Sequence, residues 1–293
     1  MTSSDIVGTP IVVGIDGSES ARHAARWAAD EATRGHLPLR LVSAVFAALP
    51  GYAAGGDVSP DLIDELQTVG RQQVDDVRAE LATSHPDVEV TTEVVFAPAT
   101  PALIDESRAA RMLVLGSRGL GGFTGILVGS HAVALAAHGH CPVAVIRDDP
   151  GTGPVVVGID GSPASAAAVA LAFEEASLRG ADLVAVHTWS DHPWEAAYAN
   201  VPVPIDWDAV RTEEEQVLAE RLAGWQEKYP DVSVRRDVAK DRPADHLLRV
   251  AASAQLLVVG SRGRGGFAGM VLGSTSQALV YHATCPLLVA RPS

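Results

Sequence analysis

The sequence predicts an α/β fold: two tandem copies of a five-stranded parallel, doubly wound sheet with helices on both faces. Three observations carry this. First, the 293-residue chain repeats itself at one constant offset. Ile11-Val-Val-Gly-Ile-Asp-Gly-Ser18 returns as Val155-Val-Val-Gly-Ile-Asp-Gly-Ser162, Gly116-Ser-Arg-Gly119 as Gly260-Ser-Arg-Gly263, and Cys141-Pro142 as Cys285-Pro286, each 144 positions on. A fixed period across many motifs marks duplicated structural units. Second, short β-branched runs alternate with alanine-rich helical patterns, the signature of a parallel sheet with right-handed crossovers. Third, 47% apolar and 20% charged residues give each copy enough apolar mass for a core of its own. The domains are expected at residues 1–148 and 154–293, joined by the Pro/Gly-rich stretch Asp148–Pro154.

In copy one, Ile11–Ile15 reads as a strand buried on both faces. Ser18 is an N-cap, and Ala21, Ala24, Ala25, Ala28 and Ala32 then share a helical face that Gly35 should end. In copy two, Ser162 caps and Pro163 takes the first helical position, where its missing N–H costs nothing. Leu39–Val45 is the second strand, Leu62–Thr83 the second helix and Glu89–Phe96 the third strand. Ala102–Ala110 is the third helix, Met112–Leu115 the fourth strand, Ser130–Ala137 the last helix and Val143–Ile146 the fifth strand.

The net charge of −14 argues against non-specific binding to nucleic acid or to an anionic membrane. Two long stretches without Asp, Glu, Lys or Arg, Gly119–Ile146 and Gly265–Ala290, are interrupted by Gly, His, Ser and a Cys-Pro pair, so spanning is not expected. Two cysteines and the absence of a basic, then apolar, N-terminal run predict a cytoplasmic protein. His138, His140 and Cys141 lack a fourth ligand nearby, and no metal site is expected.

The strongest motif is Gly116-Ser-Arg-Gly119, nine residues, then Gly129-Ser130, with its twin Gly260-Ser-Arg-Gly263, nine residues, then Gly273-Ser274. Glycines leaving a buried strand permit positive φ and close backbone approach. The following helix start offers free N–H groups and the positive end of a dipole to an anion. No Lys occurs in either loop, which excludes a Walker A site, and the first βα turn lacks the dinucleotide fingerprint. The spacing favours a ligand loop at which a nucleotide lays its phosphates, its base lying against the first two strands.

Nearly the whole chain resembles the universal stress protein family in its tandem, two-domain form, whose ATP-binding pattern Gly-x2-Gly-x9-Gly-Ser/Thr both copies match. The resemblance implies ATP, with Mg²⁺, at two sites, and a regulator of stress survival or growth. A slow ATPase or a nucleotidyl or phosphoryl transferase is the alternative. It places Asp16 and Asp160 on the adenosine side, Gly116, Gly119, Gly129 and Ser130 at the phosphates of copy one, and Gly260, Gly263, Gly273 and Ser274 at those of copy two. Ala44 and Thr188 become base neighbours. Copy two adds the hydroxyls of Thr275 and Ser276 where copy one has His131 and Ala132, and Arg264 where copy one has Leu120, so unequal affinities are expected. Trp194, Tyr198 and Trp207, with only Tyr52 in the matching region of copy one, are expected to cover the core, a lid or partner surface being the alternative. The expected assembly is an internal pseudo-dimer across Val143–Ile146 and Leu287–Ala290 and further dimerisation of the chain, with a partner protein that responds to the nucleotide.

Overall fold

The computed structural model describes residues 8–46, 59–118, 130–147, 151–189, 206–263 and 271–292. The chain divides into two compact units, Met1–Asp148 and Asp149–Ser293.

In the first unit the strands are β1 (Ile11–Gly14), β2 (Leu39–Val45), β3 (Val90–Phe96), β4 (Met112–Gly116) and β5 (Val143–Ile146). They are parallel and ordered β3-β2-β1-β4-β5, with Ile11 paired to both Leu39 and Met112. The reversal of strand order beside β1 makes the carboxyl ends of β1 and β4 the switch point, where parallel sheets bind ligands. Helices α1 (Glu19–Gly35) and α2 (Pro60–Ser84) pack together over the sheet, and α3 (Ala99–Glu106) packs with α4 (Ser130–His138). Val13, Leu113, Val114 and Val143 are fully buried between the helical layers. Each such side chain contributes about 1.5–3 kcal/mol relative to exposure.

The second unit repeats the plan with β6 (Val155–Gly158), β7 (Leu183–Trp189), β8 (Val234–Lys240), β9 (Leu256–Gly260) and β10 (Leu287–Ala290), ordered β10-β9-β6-β7-β8. Its helices are α5 (Pro163–Arg179), α6 (Trp207–Leu222), α7 (Trp225–Lys228), α8 (Pro243–Val250) and α9 (Ser274–His282). Among the described residues, no helix is long and apolar enough to cross a membrane.

The first helix of each unit starts as the residues require. The Ser18 and Ser162 hydroxyls accept from the N–H of Ala21 and Ser165, each at 3.1 Å, and the alanine face of α1 is buried. Three helix ends carry local detail, and the third helix departs from expectation. Gly35 ends α1 as expected, but the left-handed residue is the next one: His36 has φ 51°, and its N–H donates to the carbonyls of Ala32 and Thr33. The equivalent Gly180 does the same at φ 59°. The third helix begins earlier, at Ala99, and gives way at Ser107 to a 3₁₀ turn. There the Ser107 hydroxyl donates to Ile104 O at 2.6 Å and accepts from His140 N at 2.9 Å, a local competitor of helical bonding. Finally, the second helix is continuous over Pro60–Ser84 in unit one but interrupted in unit two, where Gly224 has φ 78°. Trp225 after the break stacks on the buried Phe173 at 5.5 Å.

Candidate functional site

In unit two the loop after β6 is built by its own short polar side chains. Asp160 Oδ1 accepts from Ser162 N at 2.9 Å, which turns the chain, and Gly161 takes φ 79° at the corner. Ser165 Oγ accepts from the N–H of Asp160 and of Gly161, at 3.2 and 3.4 Å. The Ser162 hydroxyl also donates to Arg262 O at 3.1 Å, so the same cap that starts α5 fixes the loop leaving β9. Unit one uses the same device. Asp16 Oδ1 accepts from Ser18 N at 3.0 Å, Gly17 has φ 83°, and Ser18 Oγ lies 3.4 Å from Arg118 O.

Gly116 and Gly260 do not adopt positive φ; among the described glycines that conformation falls to Gly17, Gly161, Gly180 and Gly224. Their smallness serves packing instead. A Cβ on Gly260 would sit 2.6 Å from the carbonyl carbon of Ala164, and one on Gly116 2.6 Å from that of Ser20, so each strand end touches the first turn of its own unit's leading helix at backbone distance. Gly263 lies against the Asp160 carboxylate, where a Cβ would stand 2.5 Å from Oδ2. Gly273, at φ −70°, is the N-cap of α9; its N–H donates to Ser261 O at 2.8 Å and it supplies no side-chain cap. The first N–H groups of α9 therefore depend on an outside acceptor, as at any helix start. Ser276 donates its hydroxyl to Gly260 O at 2.6 Å and so holds the loop, whereas the Ser274 and Thr275 hydroxyls make no hydrogen bond among the described residues.

These residues surround one cavity of about 570 Å³ at the carboxyl ends of β6, β7 and β9. That volume lies within the ~300–1,000 Å³ typical of small-molecule sites. All eight positions singled out in copy two line it: Asp160, Thr188, Gly260, Gly263, Gly273, Ser274, Thr275 and Ser276. Thr188 is on β7, paired with Ala239. A second hollow of about 680 Å³ opens at the amino ends of the strands. The Arg179 guanidinium on its wall is paired with Glu175, and it lies at the end of the sheet opposite the switch point.

In unit one, Asp16 stands at the end of β1, Ala44 lies on β2 opposite Val95, and Gly116 and Ser130 end β4 and start α4. Gly119, Gly129, Leu120, Arg264, Tyr52, Trp194 and Tyr198 lie outside the described residues. His131 contacts Thr100 through Nδ1 at 2.7 Å, while the matching position in unit two carries the Thr275 hydroxyl. Trp207 stacks on Trp189 at 5.6 Å under Lys240, whose Nζ lies 3.7 Å from the Trp207 ring centre.

Among the other lining residues, sequence reasoning did not single out Arg262, Trp189 or His187 for the site, and it takes Glu214 as part of a solvated helix start, Glu213–Glu215, whereas the residue lines the cavity. Arg262 was legible, since the repeated Gly-Ser-Arg-Gly motif contains it, and it lines the cavity beside Gly263. His187 is buried; its Nδ1 donates to Ile159 O at 2.6 Å and its Nε2 lies 2.7 Å from Glu214 Oε2. No motif spacing announces that pair.

The family model described as "Universal stress protein family" matches twice, over residues 9–147 and 152–291. The chain is 44% identical over 299 residues to the universal stress protein Rv2623 of Mycobacterium tuberculosis, covering 97% of this chain and 96% of that one. It is 43% identical over 300 residues to the universal stress protein Rv1996 of the same organism, covering 96% and 94%. A solved universal stress protein from Archaeoglobus fulgidus superposes with a TM-score of 0.68 at 20% identity, covering 98% of this chain and 99% of that one, a likeness of fold.

Proposed function

The chain belongs to the universal stress protein family, and on that premise we propose that it is an ATP-binding regulator, a module whose bound nucleotide sets its conformation and its choice of partner in a stress response. The observation that carries the reading is the convergence in unit two. Eight positions chosen from the sequence line a single cavity at the switch point of the sheet.

The residues suit a nucleoside triphosphate. At one end the start of α9 offers unsatisfied N–H groups, the Ser274 and Thr275 hydroxyls and the Arg262 guanidinium, all complementary to phosphate oxygens. Gly263 and Gly273 leave that end without side chains, which permits close approach of an anion to the backbone. At the other end Ile159, Val186, Leu247 and Val259 give an apolar surface for a base. Mg²⁺ travels with the phosphates, which supply most of its ligands. In unit one, Asp16, Gly116 and Ser130 stand at the corresponding strand and helix ends, which supports a second site.

Denaturing the purified protein and identifying the released nucleotide is the first test, and ATP is the expected product. Titration calorimetry on nucleotide-free, folded protein with ATP and Mg²⁺ should then approach two ATP per chain. Folded protein that binds none overturns the reading. Steady phosphate release in the same samples would replace a binding module with a slow ATPase.

A further inference from the structure

The two units differ on one wall of the site. In unit one α2 closes directly onto β2: a Cβ on Gly70 would lie 2.9 Å from Val45 and from Val94 and 3.3 Å from the Ser43 hydroxyl, so a larger residue must displace those side chains. The equivalent positions in unit two are Glu214, Trp189 and His187, and all three line the cavity. A wall closed by a glycine and small side chains has become one that carries a carboxylate, an imidazole and an indole.

Part of that change is structural. In unit one Gln73 ties α2 to the end of β1, its Nε2 donating to Asp16 O at 3.2 Å and its Oε1 accepting from Ser43 Oγ at 3.3 Å. In unit two Val217 stands at that position, and His187 ties α6 to the end of β6 through Ile159 O and Glu214. A tie accounts for the ring and for one carboxylate oxygen. It does not account for the other. Glu214 is 26% exposed, lines the cavity, and its Oε1 makes no hydrogen bond among the described residues. Trp189, on the same wall, has a buried Nε1 with no hydrogen-bond partner among the described residues. A buried donor without an acceptor is costly, and its natural partner is an acceptor brought by a ligand.

Resting on the nucleotide reading above, we infer that Glu214, held in place by His187, is a specificity-determining residue of the second site that accepts a hydrogen bond from a nucleoside donor group. Such a donor is a ribose hydroxyl or an exocyclic amino group. The carboxylate also gives the cavity polarity. It repels phosphates from this wall and leaves them the opposite end, where Arg262 and the start of α9 stand. Unit one, with Ser43, Val45 and Gly70 at these places, binds without this discrimination.

The test compares the full chain with Glu214→Gln and Glu214→Ala by titration with ATP, 2′-deoxy-ATP and inosine triphosphate, folding being checked by circular dichroism. In the parent chain one site of two should bind one of the analogues about ten- to a hundredfold more weakly than ATP, the effect of losing a hydrogen bond to a charged group. Loss with 2′-deoxy-ATP assigns the ribose hydroxyl; loss with inosine triphosphate assigns the base amine. Glu214→Ala should erase the discrimination at that site and leave the other site unchanged, and Glu214→Gln, which keeps shape and a neutral acceptor, should erase it in part. A tie alone would lower stability without changing the ratio between ATP and its analogues. Two ATP bound with an unchanged ratio in both folded variants overturns this inference alone, whereas a parent chain that binds no ATP overturns the proposed function and this inference with it.

Discussion

Single atoms decide how the glycines of the loop act. Gly260→Ala would drive a Cβ into the backbone of Ala164, and backbone does not yield as a flexible side chain does. The variant should lose about 1–3 kcal/mol, the usual cost of overpacking, and Gly116→Ala should behave alike against Ser20. Gly273 is the contrast. Its φ of −70° suits any residue, and an added Cβ would find its nearest neighbour, in Arg262, at 3.4 Å. Gly273→Ala should therefore unfold at the same urea concentration as the parent yet bind ATP more weakly, because the added methyl occupies the approach to the start of α9. Equal ATP affinity in that variant would exclude the helix start as the phosphate site. The two glycines share one motif and one spacing, but only coordinates separate a packing role from a binding role.

Elements were legible where burial dictates them. Val143–Ile146 forms as read, because an apolar, β-branched run fits a parallel sheet buried on both faces, and Leu39–Val45 forms as read with Leu39, Leu41, Val42 and Ser43 buried. The alanine stripe of α1 and its Ser18 cap are equally direct. Helix ends were less so, since they turn on one residue's backbone. At the end of α1 the chain needs a left-handed residue, and His36 fills a place that Gly180 fills in unit two. An L residue with a Cβ pays about 1–2 kcal/mol there. His36→Gly should raise the thermal midpoint of the chain by a stabilisation of about 1 kcal/mol, less what glycine adds to the freedom of the unfolded chain. A lower midpoint would show that the imidazole makes a compensating contact. The candidate site was legible where the motif repeats, as at Asp160, Gly263 and Ser274. It was not legible at His187 and Glu214, which are 27 residues apart on a strand and a helix and meet only through tertiary packing. Laying the copies side by side shows Ser43 and Gly70 replaced together by His187 and Glu214, a concerted change that reading each copy by itself passes over.

At the scale of the whole chain, the proposed function has an acidic protein of net charge −14 bind a polyanion, so attraction has to be local. Helix starts supply it without side-chain charge, and each unit has one that follows its glycine loop: Ser130 at α4 and Ser274 at α9, both exposed. This separates stability from binding. A carboxylate at the first position of a helix interacts favourably with the dipole, by about 0.3–1 kcal/mol, but it repels a phosphate held at the same N–H groups. Ser274→Asp should therefore leave folding intact or slightly improved while removing one ATP per chain. Ser130→Asp should remove the other, and the double variant should bind none, with an unchanged circular dichroism spectrum. The order of loss also reports which unit binds more tightly: if the Thr275 hydroxyl strengthens the second site relative to His131 in the first, Ser274→Asp removes the steeper phase of the titration. Two ATP still bound by a folded double variant would move the phosphates away from both helix starts and leave the glycine loops a purely structural role.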